Sequence, residues 1–173
     1  MLVPEMHFRD PEAEWINLHA FGTTKPHPDF RSRIESQAAH LKKALRAFVA
    51  DHAIELLVPE NALTIPMQMS LGVALAELIA EAGIPTIAHH HDFYWERERF
   101  RVNCTPGVLD SAFPPDLPSI RHVVINSIAQ RDLKARHGMD SVVVSNVLDF
   151  ATPLALSAVE GPPGLDDFNA DFR

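Results

Sequence analysis

The spacing of apolar positions changes along the chain, and each change marks the edge of an element. From Phe30 onward, Ile34, Ala38, Leu41, Leu45 and Phe48 recur at intervals of three and four. That spacing puts them on one stripe of a helix over 30–52. The run Ile54-Glu-Leu-Leu-Val-Pro59 has the length and composition of a buried parallel strand. Residues 67–81 are apolar on nearly every side and read as a buried helix, with Gly83 as its C-terminal stop. Ile84-Pro-Thr-Ile-Ala88 reads as a second strand, where Pro85 is tolerated near the start. Asp92 is placed to cap a helix over 93–102. A loop carrying Pro106, Pro114, Pro115 and Pro118 leads to a third strand over 121–126. Ser127 then caps a helix that runs to His137 and stops at Gly138, and Val142, Val143 and Val144 centre a fourth strand over 141–145. The lead-in over 1–29 is expected to be irregular, because Pro4, Pro11, Pro26 and Pro28 interrupt each candidate element. Beyond Phe150 the periodicity ends, and Gly161, Pro162, Pro163 and Gly164 ahead of Asp166 and Asp167 read as a linker over 151–173.

Strand and helix alternate from Ile54 to Val147, which predicts an α/β fold: a parallel sheet flanked by helices over residues 1–150. Ligands of such sheets bind beyond the carboxyl ends of the strands, where the loops gather. The residues at the four exits are Glu60 and Asn61, then 89–92, then Asn126 and Ser127, then Asn146. Every exit is polar.

Composition narrows the function classes. At 173 residues, 46% hydrophobic and 22% charged, the chain is one ordinary globular domain with room for a core. A net charge of −8 argues against a protein that neutralises nucleic-acid phosphates or docks on an anionic membrane. Lys42, Lys43 and Arg46, with Glu35 nearby, read as a solvated helix face. The single cysteine, Cys104, cannot form an internal disulfide and fits a reducing compartment. No apolar run approaches the roughly 20 residues that span a bilayer, and the N-terminus lacks a signal-peptide pattern. A cytoplasmic protein is expected.

The segment richest in chemistry is Ala88-His-His-His-Asp-Phe-Tyr-Trp-Glu-Arg-Glu-Arg-Phe100, directly after a predicted strand. It admits three readings. A solvated amphipathic helix explains Arg97, Glu98 and Arg99 but leaves three rim histidines without a purpose. A metal site meets a geometric obstacle: consecutive strand residues face opposite ways, so His89, His90 and His91 do not readily converge on one ion without a distant ligand. No metal is expected. Sugar recognition uses all the residue types present, since imidazoles and carboxylates bond hydroxyls, an indole offers a flat face, and arginine suits a phosphate or carboxylate.

Three stretches within about 54–150 also resemble the N-terminal, acceptor-side domain of family 4 retaining glycosyltransferases, which have the two-domain GT-B fold. Ile84-Pro-Thr-Ile-Ala-His-His-His-Asp92 is similar to that family's strand followed by a His-Asp pair. Val123-Val-Ile-Asn-Ser127 is similar to its strand ending in Ser before a short helix. Val142-Val-Val-Ser-Asn-Val-Leu-Asp149 is similar to the strand that closes in Pro-Asn-Gly-Val-Asp at the interdomain hinge, with Ser145 in place of the Pro and Val147 in place of the Gly. The resemblance implies one Rossmann-like GT-B half. His91 would contact the transferred sugar, in a register one or two positions uncertain against His89 and His90. Asp92, Trp95, Glu96 and Arg97 would line the acceptor side, with Glu60 and Asn61 opposite and Ser127 and Asn146 on the same rim. A nucleotide-sugar donor, held mainly by a second domain, and an acceptor hydroxyl are the implied partners, and no cofactor is expected.

Neither the family's opening strand with its glycine-rich turn nor its donor-binding carboxylates are in this sequence, so a truncated polypeptide is expected. The strand over 54–58 would then have an open edge, which predicts either a homodimer through that edge or its burial under the lead-in over 1–29. The rival reading is a non-catalytic binding or regulatory module on the same core. A dehydrogenase lacks its glycine fingerprint here, and Ser70 and Ser127 sit in no nucleophile turn. Cys104 reads as a small buried hydrophobe rather than a nucleophile.

Overall fold

The structure, a computed structural model, describes residues 3–146. Val147 and Asp149 of the hinge expected from the resemblance, and the linker expected over 151–173, lie outside the described residues. In chain order the elements are α1 (Pro11–Ala20), α2 (Phe30–Asp51), α3 (Met69–Ala82), β1 (Thr86–His90), α4 (Pro106–Ala112), β2 (Ile120–Val124), α5 (Ser127–His137) and β3 (Ser141–Val143), with short 3-10 turns between some of them. The three strands form a parallel sheet in the order β1-β2-β3, flanked by helices. This is the expected α/β, Rossmann-like arrangement. Among the described residues no helix is long and apolar enough to cross a membrane.

Helix α3 is apolar on most sides because it packs on several neighbours, while Glu77 and Glu81 stay exposed and pair with Lys42 and Arg46 of α2. Ala74 meets Ala38 and Leu41 of α2, Leu75 and Ile79 meet Ala88 and Ile120 of the sheet, and Met69 packs with Phe113 and α1. At Gly72 the ring of Phe113 comes so close that an added Cβ would lie 2.2 Å from Cζ. On α2, Ile34, Ala38 and Leu41 of the expected stripe are buried, and Leu45 is partly so.

The sheet covers only one face fully. Thr86, Ala88 and His90 of β1 and Ile120, His122 and Val124 of β2 are buried, whereas Ile87, His89 and Val123 are partly open and Arg121 is exposed. Helix α5 closes the buried face near Val124 through Ala129 and Leu133.

Several sequence expectations need correction. The lead-in contains α1, whose N-cap Asp10 accepts from the amides of Glu12 and Ala13. Pro11 stands at the first helical position, where its missing N–H is no loss, so it starts the helix instead of breaking one. Pro106 starts α4 in the same way, inside the expected proline loop. No helix spans 93–102. The chain makes two 3-10 turns there, Tyr94–Glu96 and Glu98–Phe100, and buries Phe93 and Phe100. Asp92 does not cap: its carboxylate accepts from Asn61 and Arg97, while Glu96 accepts from the Phe93 amide. The cap of α5 is Asn126, which accepts from the Ala129 amide at 2.8 Å, and Ser127 is the first helical residue.

The strand expected over 54–59 is present only as two isolated parallel bridges to β1, Leu57↔Thr86 and Glu60↔His89. The bonding pattern gives the cause. Leu57 and Asn61 donate their amides to Pro85 and His89, and Leu57 and Pro59 accept from Ile87 and His89. The one missing rung is the amide that residue 59 would supply, and proline has none. The lead-in does not bury the outer side of this segment, since α1 packs against α2 and α3, and Leu56 and Val58 remain 48% and 57% exposed.

Candidate functional site

Because all strands run parallel, their exits lie along one edge of the sheet, in the order Glu60 and Asn61, His91 and Asp92, Asn126 and Ser127, then Asn146. Neighbouring exits are one strand spacing, about 4.8 Å, apart. Within this edge the first two exits are joined into one hydrogen-bonded network.

Asn61 is its centre. Its backbone sits at φ +56°, in the left-handed region that asparagine tolerates better than most residues. Its amide donates to the His89 carbonyl at 2.8 Å, its Nδ2 donates to Asp92 at 2.9 Å, and its Oδ1 accepts from the His91 amide at 3.0 Å and the Thr64 hydroxyl at 2.9 Å. Asn61 therefore fixes the path of the chain as it leaves β1. Asp92 also accepts from Arg97 Nε at 2.6 Å, which anchors the arginine beside it. Glu60 Oε1 lies 2.6 Å from His89 Nδ1 and 3.1 Å from His91 Nε2. Burial alone would raise the Glu60 carboxyl, but its bonds with His89 and His91 outweigh this and hold it below the usual carboxylate range. Glu60 is thus ionised near neutral pH.

His89 and His91, two positions apart, emerge on the more open face of the sheet, and their rings meet edge to face at 5.0 Å. His90 points the other way. It is 1% exposed, pairs with His122 (Nε2 to Nδ1, 2.9 Å) and packs near Phe93. Burial, with smaller contributions from His122 and His89, pushes the pKa of His90 down to about 3, and burial takes that of His122 down to about 4 against the opposing pull of Asp116. His90 is therefore removed from the rim.

Glu60, Asn61 and Arg97 also line a cavity of ≈ 370 Å³ whose other walls include Met6, His7, Phe8 and Gln68. Its polar lining can donate to and accept from hydroxyls, and its apolar lining offers surface for a ring.

The structure thus brings Glu60, Asn61, His91, Asp92 and Arg97 together. It places Trp95 and Glu96 elsewhere: Trp95 stacks between Phe93 and His137 and donates to Asp132 of α5, and Glu96 is used in the turn at Phe93. Ser127 and Asn146 lie farther along the same edge, exposed, and no hydrogen bond among the described residues ties them to the network. Sequence reasoning missed the role of His89 as a partner of Glu60, and missed His122 altogether. The alternation of side chains along a strand, which separates 89 and 91 from 90, was the signal for it.

The chain is similar to mannosylglucosylglycerate synthase of Thermotoga maritima, 40% identical over 168 residues that cover 89% of this chain and 36% of the relative. It is also similar to mannosylglucosylglycerate synthase of Petrotoga mobilis, 41% identical over 101 residues that cover 56% of this chain and 23% of the relative. These relatives are glycosyltransferases. The chain spans about a third or less of the length of the curated relatives it matches. No protein-family model and no solved structure matches the chain.

Proposed function

We propose that this chain supplies the acceptor side of the cleft of a retaining glycosyltransferase of the family 4, GT-B type. In this reading a mannosyl unit passes from a nucleotide-sugar donor to a hydroxyl of a glycosylated glycerate, the combination that the relatives' product name describes. The oxygen of the acceptor hydroxyl bonds to the anomeric carbon, the bond to the nucleotide diphosphate breaks, the hydroxyl proton passes to the departing diphosphate, and the configuration is retained. The donor is held mainly by a further domain. His91 contacts the transferred sugar, and Glu60, Asn61, Asp92 and Arg97 orient the acceptor, with Ser127 and Asn146 farther along the rim.

The observation that carries the reading is the network from Glu60 through His91 and Asn61 to Asp92 and Arg97, beside a ≈ 370 Å³ cavity at the C-terminal edge of a parallel sheet. A rim of fixed donors and acceptors is what a polyhydroxylated acceptor needs, because orientation of the attacking hydroxyl is a large part of the rate of such a transfer. Arg97 offers its guanidinium to an acceptor carboxylate while Asp92 holds it in place.

The test is a titration of the chain with glucosylglycerate, followed through the imidazole resonances of His89 and His91. Saturable shifts are expected at both, and Arg97→Ala should weaken them. In an enzyme that joins this chain to a donor-binding domain, His91→Ala should lower turnover by about tenfold or more. Unchanged resonances together with unchanged turnover would remove the rim from the reaction.

A further inference from the structure

Glu60, His89 and His91 have a chemistry that sugar binding does not use up. The alternation of β1 sends His89 and His91 out on one face, and the parallel bridge Glu60↔His89 brings in a carboxylate from the neighbouring segment. One ligand atom from each of the three lies within 4.8 Å of the others. Glu60 is therefore the distant third residue without which the histidine run cannot converge on an ion.

We propose that Glu60, His89 and His91 bind a divalent transition-metal ion of the zinc class, through Glu60 Oε1, His89 Nδ1 and His91 Nε2. Two imidazoles and one carboxylate form a ligand set suited to such ions, and three protein ligands leave open positions for outside oxygens. Metal–ligand bonds of about 2.0–2.1 Å in tetrahedral geometry put ligand atoms about 3.4 Å apart. The 2.6 and 3.1 Å separations at Glu60 have to widen by less than an ångström each, and the ligand nitrogens of His89 and His91, within 4.8 Å of each other, have to come to the same spacing by rotation of the exposed side chains. The side chains that have to shift, Glu60 and His91, are the exposed ones at 56% and 42%, while His89 is held at 19%. His90 takes no part, since it faces the core.

The site has one unfavourable feature, and it sets the expected strength. With an ion on Nδ1 the ring proton of His89 moves to Nε2, which is buried and has no hydrogen-bond partner among the described residues. A missing outer partner of this kind weakens metal binding by about 10–100-fold. The site is therefore one of moderate affinity, weaker than a structural zinc centre. Ion binding needs neither donor nor acceptor, so the inference stands apart from the sugar-transfer reading and can fail or succeed without it.

The experiment is calorimetric titration of the 173-residue chain, without a histidine tag and freed of metal by chelator, with zinc chloride. A parallel cobalt(II) titration is read by its visible absorption. One ion per chain is expected. Affinity should fall by about tenfold or more in His91→Ala and in His89→Ala, and also in Glu60→Gln. The separate ring cluster of His19 and His27 supplies the control, and binding should survive the His19→Ala, His27→Ala double variant. His91 and Glu60 are exposed, so their variants keep the fold, as circular dichroism can check, even if His89→Ala does not. No uptake at millimolar zinc, or uptake that His91→Ala and Glu60→Gln leave unchanged, would overturn the proposal.

Discussion

At the residue scale, the three consecutive histidines illustrate how one position decides a role. His90 and His122 are buried against each other and stay neutral in the folded chain, whereas in the unfolded chain each titrates near 6.5. Between about pH 6.5 and pH 4 the unfolded state therefore binds more protons than the folded state, and stability must fall as the pH falls. The stabilising contribution is present in full above the unfolded value and is lost on acidification. For each histidine the slope approaches about 1.4 kcal/mol per pH unit. Urea midpoints measured from pH 7.5 down to pH 5 should decline, and the decline should be shallower in His122→Asn. A flat profile over that range would show that the pair is hydrated or already charged. The sequence revealed this much of the site: that chemistry gathers at 88–100, and that Glu60 and Asn61 stand across from it. It did not reveal that His90 faces the core while His89 and His91 face Glu60, because alternation separates 90 from its neighbours without saying which face of the sheet is covered. Nor could it reveal that Asn61 takes a left-handed backbone and ties four groups together, since that depends on contacts across the fold.

At the element scale, periodic segments were readable and proline-rich ones were not. Helices α2, α3 and α5 and the strands β1 to β3 follow from apolar spacing, since burial of one stripe or one face is what stabilises them. Helices α1 and α4 were hidden because Pro11 and Pro106 look like breakers until their position as first helical residues is known. Pro59 had the opposite effect: the apolar run around it reads as a strand, but its missing amide removes a rung of the ladder. The fit of α3 against Phe113 depends on Gly72 and yields a direct test. Helix propensity alone would favour alanine there by about 1 kcal/mol. An alanine Cβ, however, would meet the buried Phe113 ring at 2.2 and 2.5 Å, and overpacking of this kind costs about 1–3 kcal/mol. The clash is severe enough to win. Gly72→Ala should lower the urea midpoint, and adding Phe113→Leu should recover part of the loss. A Gly72→Ala variant more stable than the parent would mean that α3 and the Phe113 ring are not packed this closely.

At the scale of the whole molecule, the segment beside β1 leaves an edge that the described residues do not cover. In an extended segment, successive residues direct their backbone groups to opposite sides. Leu57, Pro59 and Asn61 face β1, so the amides of Leu56 and Val58 face outward, and both side chains are about half exposed. Apolar side chains beside unpaired amides are the combination that recruits another strand. The net charge of −8 on each copy opposes association. Association through this edge should therefore strengthen with salt, which screens that repulsion. Light scattering across a range of concentrations should show a monomer giving way to a dimer, earlier at high ionic strength. Val58→Lys places a charge on the edge without touching the network at Glu60 and Asn61, and it should return the chain to monomer at every concentration. Dimers that persist in Val58→Lys, or that dissolve as salt is raised, would locate the contact elsewhere and leave the edge capped by some other part of the protein.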